Sequence, residues 1–381
     1  MQLRLSLVTC AFLATTIQAE DYISVQYMGY DEDSGRTTIH TPAIEINKDF
    51  GADYTLNMTF VHDSVSGASP TYYDASSGAS ATLPEGSSLP SNIRYGDIPY
   101  EEKRNAFSAT LTKRFASRDE LTVGYSYSNE DDYTSNEISL SYLHYLDASK
   151  NRSVSLGFSY QKNDVGIYCF LGTSACDSSS GASGMVEKDN DVYNIQLGYS
   201  QVIDKRSVVK GALFMIQEDG YLSNPYMHVV RDFHTTPRIT EETKPDARTA
   251  YGFSVEYDRS WSNTFSTVVN YRFYDDDWDI TSHTLDTKLY YEWSDRLRTG
   301  LNFRAYTQSK ASFFSGKRDY FTDQKYASSD RRVSEFDAYT YGVTLDYQIT
   351  DRVGLNLSVG YYDQPEYFDA TYYNVGFKYK F

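Results

Sequence analysis

Large apolar residues alternate with small or polar ones over most of the chain, and the final stretch shows the pattern plainly. Between Asp369 and Phe381 the odd positions hold Thr371, Tyr373, Val375, Phe377, Tyr379 and Phe381, and the even ones Ala370, Tyr372, Asn374, Gly376, Lys378 and Lys380. Successive side chains of a strand point to opposite faces, so one face here suits hydrocarbon and the other water. The same period recurs in segments 22–29, 38–47, 54–62, 105–115, 120–129, 135–146, 153–161, 191–202, 207–217, 248–258, 264–274, 282–293, 296–307, 336–349, 352–362 and 369–381. Each is about ten residues long, what a tilted strand needs to cross a bilayer. No strand is left over to form a covering layer. The pattern therefore predicts an all-β fold, an antiparallel transmembrane up-and-down β-barrel of about sixteen strands, with about fourteen or eighteen also compatible.

The connections carry a second signal, because they read as alternating strictly between tight and long. The tight ones lie at 51–53, 117–119, 148–151, 204–206, 260–263, 294–295 and 350–351, whereas 64–104, 163–190, 218–247 and 309–335 are long and polar. An outer-membrane barrel has short periplasmic turns and longer external loops, so both termini are expected on the periplasmic side.

The faces divide unevenly in charge. In strands three to eight the polar face is neutral, with Thr55, Asn57, Thr59, Thr122, Gly124, Ser126, Ser155, Gly157, Ser159, Asn194 and Gln196. From the ninth strand onward it carries Lys210, Glu256, Asp258, Arg272, Asp286, Lys288, Glu292, Arg298, Arg304, Asp346, Arg352 and Lys378. A Lys or Arg facing lipid near mid-membrane costs about 2–4 kcal/mol, so these residues are expected to face the lumen and to pair across strands.

Composition fits a barrel in an oxidising compartment. The chain holds 37 Tyr and 20 Phe, suited to aromatic girdles, at a mean hydropathy of −0.55. Residues 1–19 read as a signal peptide, with Arg4 ahead of a short apolar run and Ile17-Gln18-Ala19 before the cut, leaving 20–381 as a single barrel domain. Cys10 reads as part of that apolar run rather than as a lipid attachment point. Cleavage removes only Arg4 among ionisable residues and takes the formal charge from −17 to about −18, a balance that argues against nucleic acid as a partner.

One phrase in the first long connection is more specific. Asp63 is followed by Val65-Ser66-Gly67-Ala68-Ser69-Pro70, and then Asp74-Ala75-Ser76-Ser77-Gly78-Ala79-Ser80. This resembles the motif of the domain of unknown function 3570 family, an aspartate before a Val-Ser-Gly-Ala-Ser-Pro core and an Asp-Ala-x-Ser-Gly-Ala-like repeat. The resemblance implies a Gram-negative outer-membrane β-barrel and no particular activity. Physically, the glycines, Pro70 and the small hydroxyl residues suggest a compact loop whose hydroxyls and amides bond each other and which folds into the lumen as a constriction. The end of the chain, with Tyr379 and the terminal Phe381, resembles the C-terminal signal by which such proteins are recognised by the barrel-assembly machinery.

Candidate chemistry is sparse. Cys169 and Cys176, the two cysteines beyond the signal peptide, are expected to form a disulfide bracing an external loop. A thiol assay on unfolded, unreduced mature protein should find no reactive cysteine, and two free thiols would refute the pairing. Acidic clusters at Asp31-Glu32-Asp33, Glu130-Asp131-Asp132, Glu241-Glu242 and Asp275-Asp276-Asp277 with Asp279 lie at strand ends, a solvated rim that could hold divalent ions bridging lipopolysaccharide. The histidines are scattered, no serine sits in a nucleophile elbow, and no cofactor is expected. The leading expectation is a pore, or the outer-membrane component of a transport or export assembly with a periplasmic partner, favouring cations because of its acidic mouth. A non-conducting structural or adhesion barrel is the alternative, and an outer-membrane hydrolase the third.

Overall fold

The computed structural model describes residues 21–74, 93–168, 185–232, 236–315, 324–365 and 367–381. The expected signal peptide, both cysteines and Gly78 lie outside these residues. Two early strands, β1 (Tyr22–Glu32) and β2 (Thr37–Phe50), precede a long pair, β3 (Tyr54–Asp74) and β4 (Ile93–Arg114). Then come β5 (Glu120–Asn129), β6 (Tyr133–Tyr145), β7 (Arg152–Tyr168), β8 (Met185–Asp204) and β9 (Ser207–Gly220). A short hairpin, β10 (His228–Arg231) and β11 (Arg238–Glu241), interrupts the series before β12 (Ala247–Ser260), β13 (Phe265–Asp276), β14 (Thr281–Ser294) and β15 (Leu297–Gln308). The chain ends in β16 (Phe336–Gln348), β17 (Val353–Gln364) and β18 (Phe368–Lys380).

All of these except β10 and β11 form one closed antiparallel barrel of sixteen strands, each paired with its sequence neighbour and β9 with β12. The seam is β1 against β18, in a register that sets Tyr22 opposite Lys380 and Val25 opposite Phe377. Closure leaves no sheet edge, the condition for crossing a bilayer with strands. The outside is an apolar belt: Leu156, Leu197 and Leu213 stand side by side on β7, β8 and β9, all more than half exposed. Trp261, Trp293 and Phe381 girdle the rim bearing the termini and short turns, and Tyr127, Tyr251 and Tyr361 the opposite rim.

The seven tight connections fall where the sequence places them, with Arg118 and Lys150 in the left-handed region at φ 75° and 58° and Gly51 at 65°. At the other rim strict alternation does not hold. Residues 33–36, 130–132, 277–280 and 365–367 are also short connections. The lengths expected for two of the long loops are instead partly strand: β3 and β4 stay paired out to Asp74 opposite Ile93, and β7 and β8 to Tyr168 opposite Met185. The alternation of Val65, Gly67 and the residues beyond continues the strand pattern past the membrane, and small residues do not prevent pairing once a partner of equal length lies alongside. At about 3.3 Å per residue, the 22 residues of β4 run roughly 70 Å, well beyond an apolar band about 25 Å tall even when tilted.

Candidate functional site

Inside the barrel, parity places small neutral groups on one wall and charged groups on the other. Thr122, Gly124 and Ser126 on β5 face Ser139 and Ser141 on β6, followed by Ser155, Gly157 and Ser159 on β7 and Asn194 and Gln196 on β8. Glu137 on β6, between Ser126 and Gln161, interrupts this wall, and Glu120 of β5, on the same face, pairs with Arg114 at 3.4 Å near the turn end.

On the charged wall, the Nζ of Lys210 lies 2.9 Å from a carboxylate oxygen of Glu256 and 2.9 Å from one of Asp258. Arg304 meets Asp286 at 2.6 Å. Arg298 stands opposite Glu292 in register but donates to Asp346 at 2.8 Å, where Asn356 also donates to the second carboxylate oxygen. Arg272 takes no carboxylate among the described residues; its guanidinium sits 4.6 Å from the centre of the Phe214 ring. Lys288 and Glu292 project into the lumen with no ion pair to another described residue. The more exposed pairs, Arg298–Asp346 and Arg304–Asp286, add little stability, so their main effect is to set the potential along one wall.

The rim opposite the turns is covered. The connection from β9 to β12 (221–246) starts between two strands yet reaches β3, six strands away around the sixteen-stranded wall, where the amide of His228 donates to Thr71 Oγ1 at 2.8 Å. It must therefore cross the mouth. On its way Tyr221 pairs with Asp189 and Asn190 of β8, and the Tyr226 hydroxyl donates to Asp132 in the β5–β6 turn. Val230 and Ile239 of the β10–β11 hairpin pack on Tyr72, Ile93 and Tyr95 at the outer ends of β3 and β4.

The connection from β15 to β16 (309–335) supplies the other half of this lid. Thr243 and Ala327 exchange backbone hydrogen bonds of 2.9 and 2.8 Å, and Ser329 Oγ donates to the carbonyl of His228. Leu222, Trp278, Ile280, Ala311, Phe313 and Val333 form an apolar cluster where the lid meets the β13–β14 turn. Between the halves lies a buried ionic knot. Lys244 Nζ is 2.9 Å from Glu242 and 3.0 Å from Asp330, and all three are no more than 5% exposed. Glu242 also accepts from the amide of Asn224 and from Ser328 Oγ, each at 2.5 Å. Burial pushes the Glu242 carboxyl up; burial pushes Asp330 the same way, but the cations Arg332 and Lys244 outweigh it and hold Asp330 well below the usual carboxylate range.

The residues singled out in the sequence are dispersed over this architecture. Asp63 is buried and paired with Arg104 on β4, and Ser66 and Gly67 continue β3, where a Cβ on Gly67 would lie 2.9 Å from both the Thr37 and Tyr100 hydroxyls. Ala68, Ser69 and Pro70 belong to the same strand, and Asp74 is its last residue, so this phrase is a strand extension rather than a compact loop. Tyr379 points outward near the end of β18, and the Phe381 amide donates to the Asp21 carbonyl.

The four acids at the end of β13 and in the turn that follows do not converge on one point. Asp276 is buried beneath Arg248 and accepts from the amides of Trp278 and Ile280, Asp275 accepts from Thr281, Asp277 from the Thr249 amide, and Asp279 adopts φ 68° to make the turn. Among the described residues, the acidic side chains that do gather tightly enough for a metal ion are Glu102, Glu130 and Asp132. Glu102 escaped the sequence reading because it comes from β4, about thirty residues from the other two, and only the register of the barrel brings it there.

The model of the family described as Protein of unknown function (DUF3570) matches residues 5–374. The chain belongs to that family. No curated protein matches this DUF3570 barrel. Among solved structures it is similar to a ferric enterobactin receptor (PfeA) mutant from Pseudomonas aeruginosa at 7% identity and a TM-score of 0.48, covering 91% of this chain and 54% of that one. It thus spans about half the length of that receptor. A bacterial polysaccharide outer membrane secretin is similar at 7% identity and TM-score 0.50, over 96% of this chain and 99% of the other. The CymD monoaromatic hydrocarbon channel follows at 8% identity and TM-score 0.46, over 96% and 90%. At these identities the likeness concerns the fold, which is that of the outer-membrane barrels.

Proposed function

We propose that the protein is an outer-membrane conduit, a water-filled barrel whose outer mouth is closed by a two-loop lid, with its termini and short turns in the periplasm. The observation that carries this reading is the coexistence of exposed inward charges with a folded cover. Lys288, exposed on the inner face of β14 with no ion pair to another described residue, is tolerable only in contact with water, since an isolated ion in a dry core costs far more than it returns. A barrel that holds water and is covered at one end is a gate.

The transported species is a small polar solute or ion, steered by the charged wall opposite the neutral one. Reconstituted into a planar bilayer, the wild-type protein should show stepwise but infrequent conductance. In a salt gradient, reversal potentials should show a preference for cations, stronger at low salt because screening lengths shrink to about 10 Å at 0.1 M. Arg304→Ala, which leaves Asp286 unpaired on the wall, should increase that preference. An anion-selective wild type would refute the assignment of selectivity, and silence even after the lid is loosened would favour a scaffold or adhesion barrel.

A further inference from the structure

The trio of acids gathered at the loop rim stands apart from the lumen wall. Glu102 lies on the part of β4 beyond the membrane, whereas Glu130 and Asp132 lie in the β5–β6 turn. Their candidate ligand oxygens are all within 4.8 Å of one another. Asp132 is only 8% exposed, and of its two carboxylate oxygens Oδ2 accepts from Tyr226 while Oδ1 is sealed from solvent without any hydrogen-bond partner. A buried anionic oxygen with nothing to accept, next to two further carboxylates, lacks a positive charge. Arg104 on β4 acts on Glu130 through space but is itself bound to Asp63.

The geometry points to a calcium site formed by Glu102, Glu130 and Asp132. Oxygens are the only donors present, as a hard cation requires, and two ligands of one Ca²⁺ at 2.3–2.6 Å can stand up to about 5 Å apart, which accommodates the group. Mg²⁺ demands a tighter octahedron, keeps several waters and typically takes one or two carboxylates, so a site with three favours Ca²⁺. The remaining coordination positions fall to second carboxylate oxygens and water. Gly166 allows the close approach: its amide donates to the Asp132 carbonyl at 2.6 Å, and a Cβ there would come within 3.2 Å of the same oxygen.

Gathered side by side without a cation, the three carboxylates repel one another. The charged or titratable groups facing the site are Glu102 and Arg104 from β4, Glu130 and Asp132 themselves, and Tyr226 from the lid. Ca²⁺ would relieve that repulsion and hold Asp132 as the anion that accepts the Tyr226 hydroxyl, tying the lid to the wall. The site itself stands whether or not the barrel conducts.

The test is calorimetric titration of CaCl₂ into the full-length mature chain, refolded in detergent, freed of lipopolysaccharide and stripped of metal with a chelator. Wild type should show one saturable Ca²⁺ site, little displaced by equal Mg²⁺. Glu102→Gln and Glu130→Gln should each weaken it at least about tenfold, since affinity follows the count of charged ligands, whereas Asp277→Asn should leave it unchanged. Heat-modifiable gel mobility reports whether each variant has folded. No saturable site in folded wild type overturns the proposal whatever the variants do. So does a site that survives both Glu→Gln changes in folded protein.

Discussion

Lys244→Met should loosen the lid by roughly a hundredfold or more. Its ammonium is the shared partner of Glu242 and Asp330 inside the knot, and removing one member of a buried ion pair costs about 3–5 kcal/mol because the charges left behind have no water. At 1.4 kcal/mol per decade, that shifts the closed-to-open ratio of the lid by about two to three orders of magnitude. Asp330 would keep Arg332, but Glu242 would lose the ammonium that lies 2.9 Å from it. In planar bilayers the open probability should rise steeply, and added protease should cut within 221–246 far faster than in wild type. Glu242→Gln combined with Lys244→Met should recover part of the closure, because the amide removes the stranded charge. A Lys244→Met protein with wild-type conductance and protease resistance would mean that the apolar cluster around Trp278 and Phe313 alone keeps the mouth covered.

Leu197→Arg should destabilise the barrel by about 2–4 kcal/mol in lipid vesicles, whereas Gln196→Arg, one residue away, should cost less than about 1 kcal/mol. Leu197 is on the outward face of β8 between Leu156 and Leu213, and Gln196 is on the inward, watered face. The same side chain is thus moved from hydrocarbon to water by a single step along the strand. Denaturant unfolding of both variants from vesicles measures the difference. Equal costs would mean that this face does not meet lipid.

Much of the barrel was legible because its determinants are local. Period-2 alternation in segments such as Glu120–Asn129 names both the strand and its lipid face, and turn residues such as Gly51 mark where the chain reverses. The strand count followed from these. The lengths at the loop rim did not, because β3 and β4 extend by pairing with one another, and pairing partners forty residues apart leave no local mark. The lid was hidden for a related reason: Glu242, Lys244 and Asp330 look like ordinary surface charges until two separate loops are brought together. Asp275 to Asp279 show the opposite failure, since a run of acids suggests ion binding while the structure uses each one for a different turn or pairing role. Composition records which charges exist but not which amides and guanidinium groups meet them.

The β1–β18 seam also fixes when this molecule can finish folding. It joins residue 22 to residue 380, so one edge of the first strand, already paired with β2 along the other, has no mate until the last strand leaves the ribosome and arrives in the same compartment. Until then both ends of the growing sheet are bare, and contacts so distant in sequence form slowly because the intervening chain must be gathered first. Completion is therefore a single late event rather than a progressive one. A nascent chain held up anywhere upstream exposes two adhesive borders for the whole of the delay, and losing the last thirteen residues would make that delay permanent.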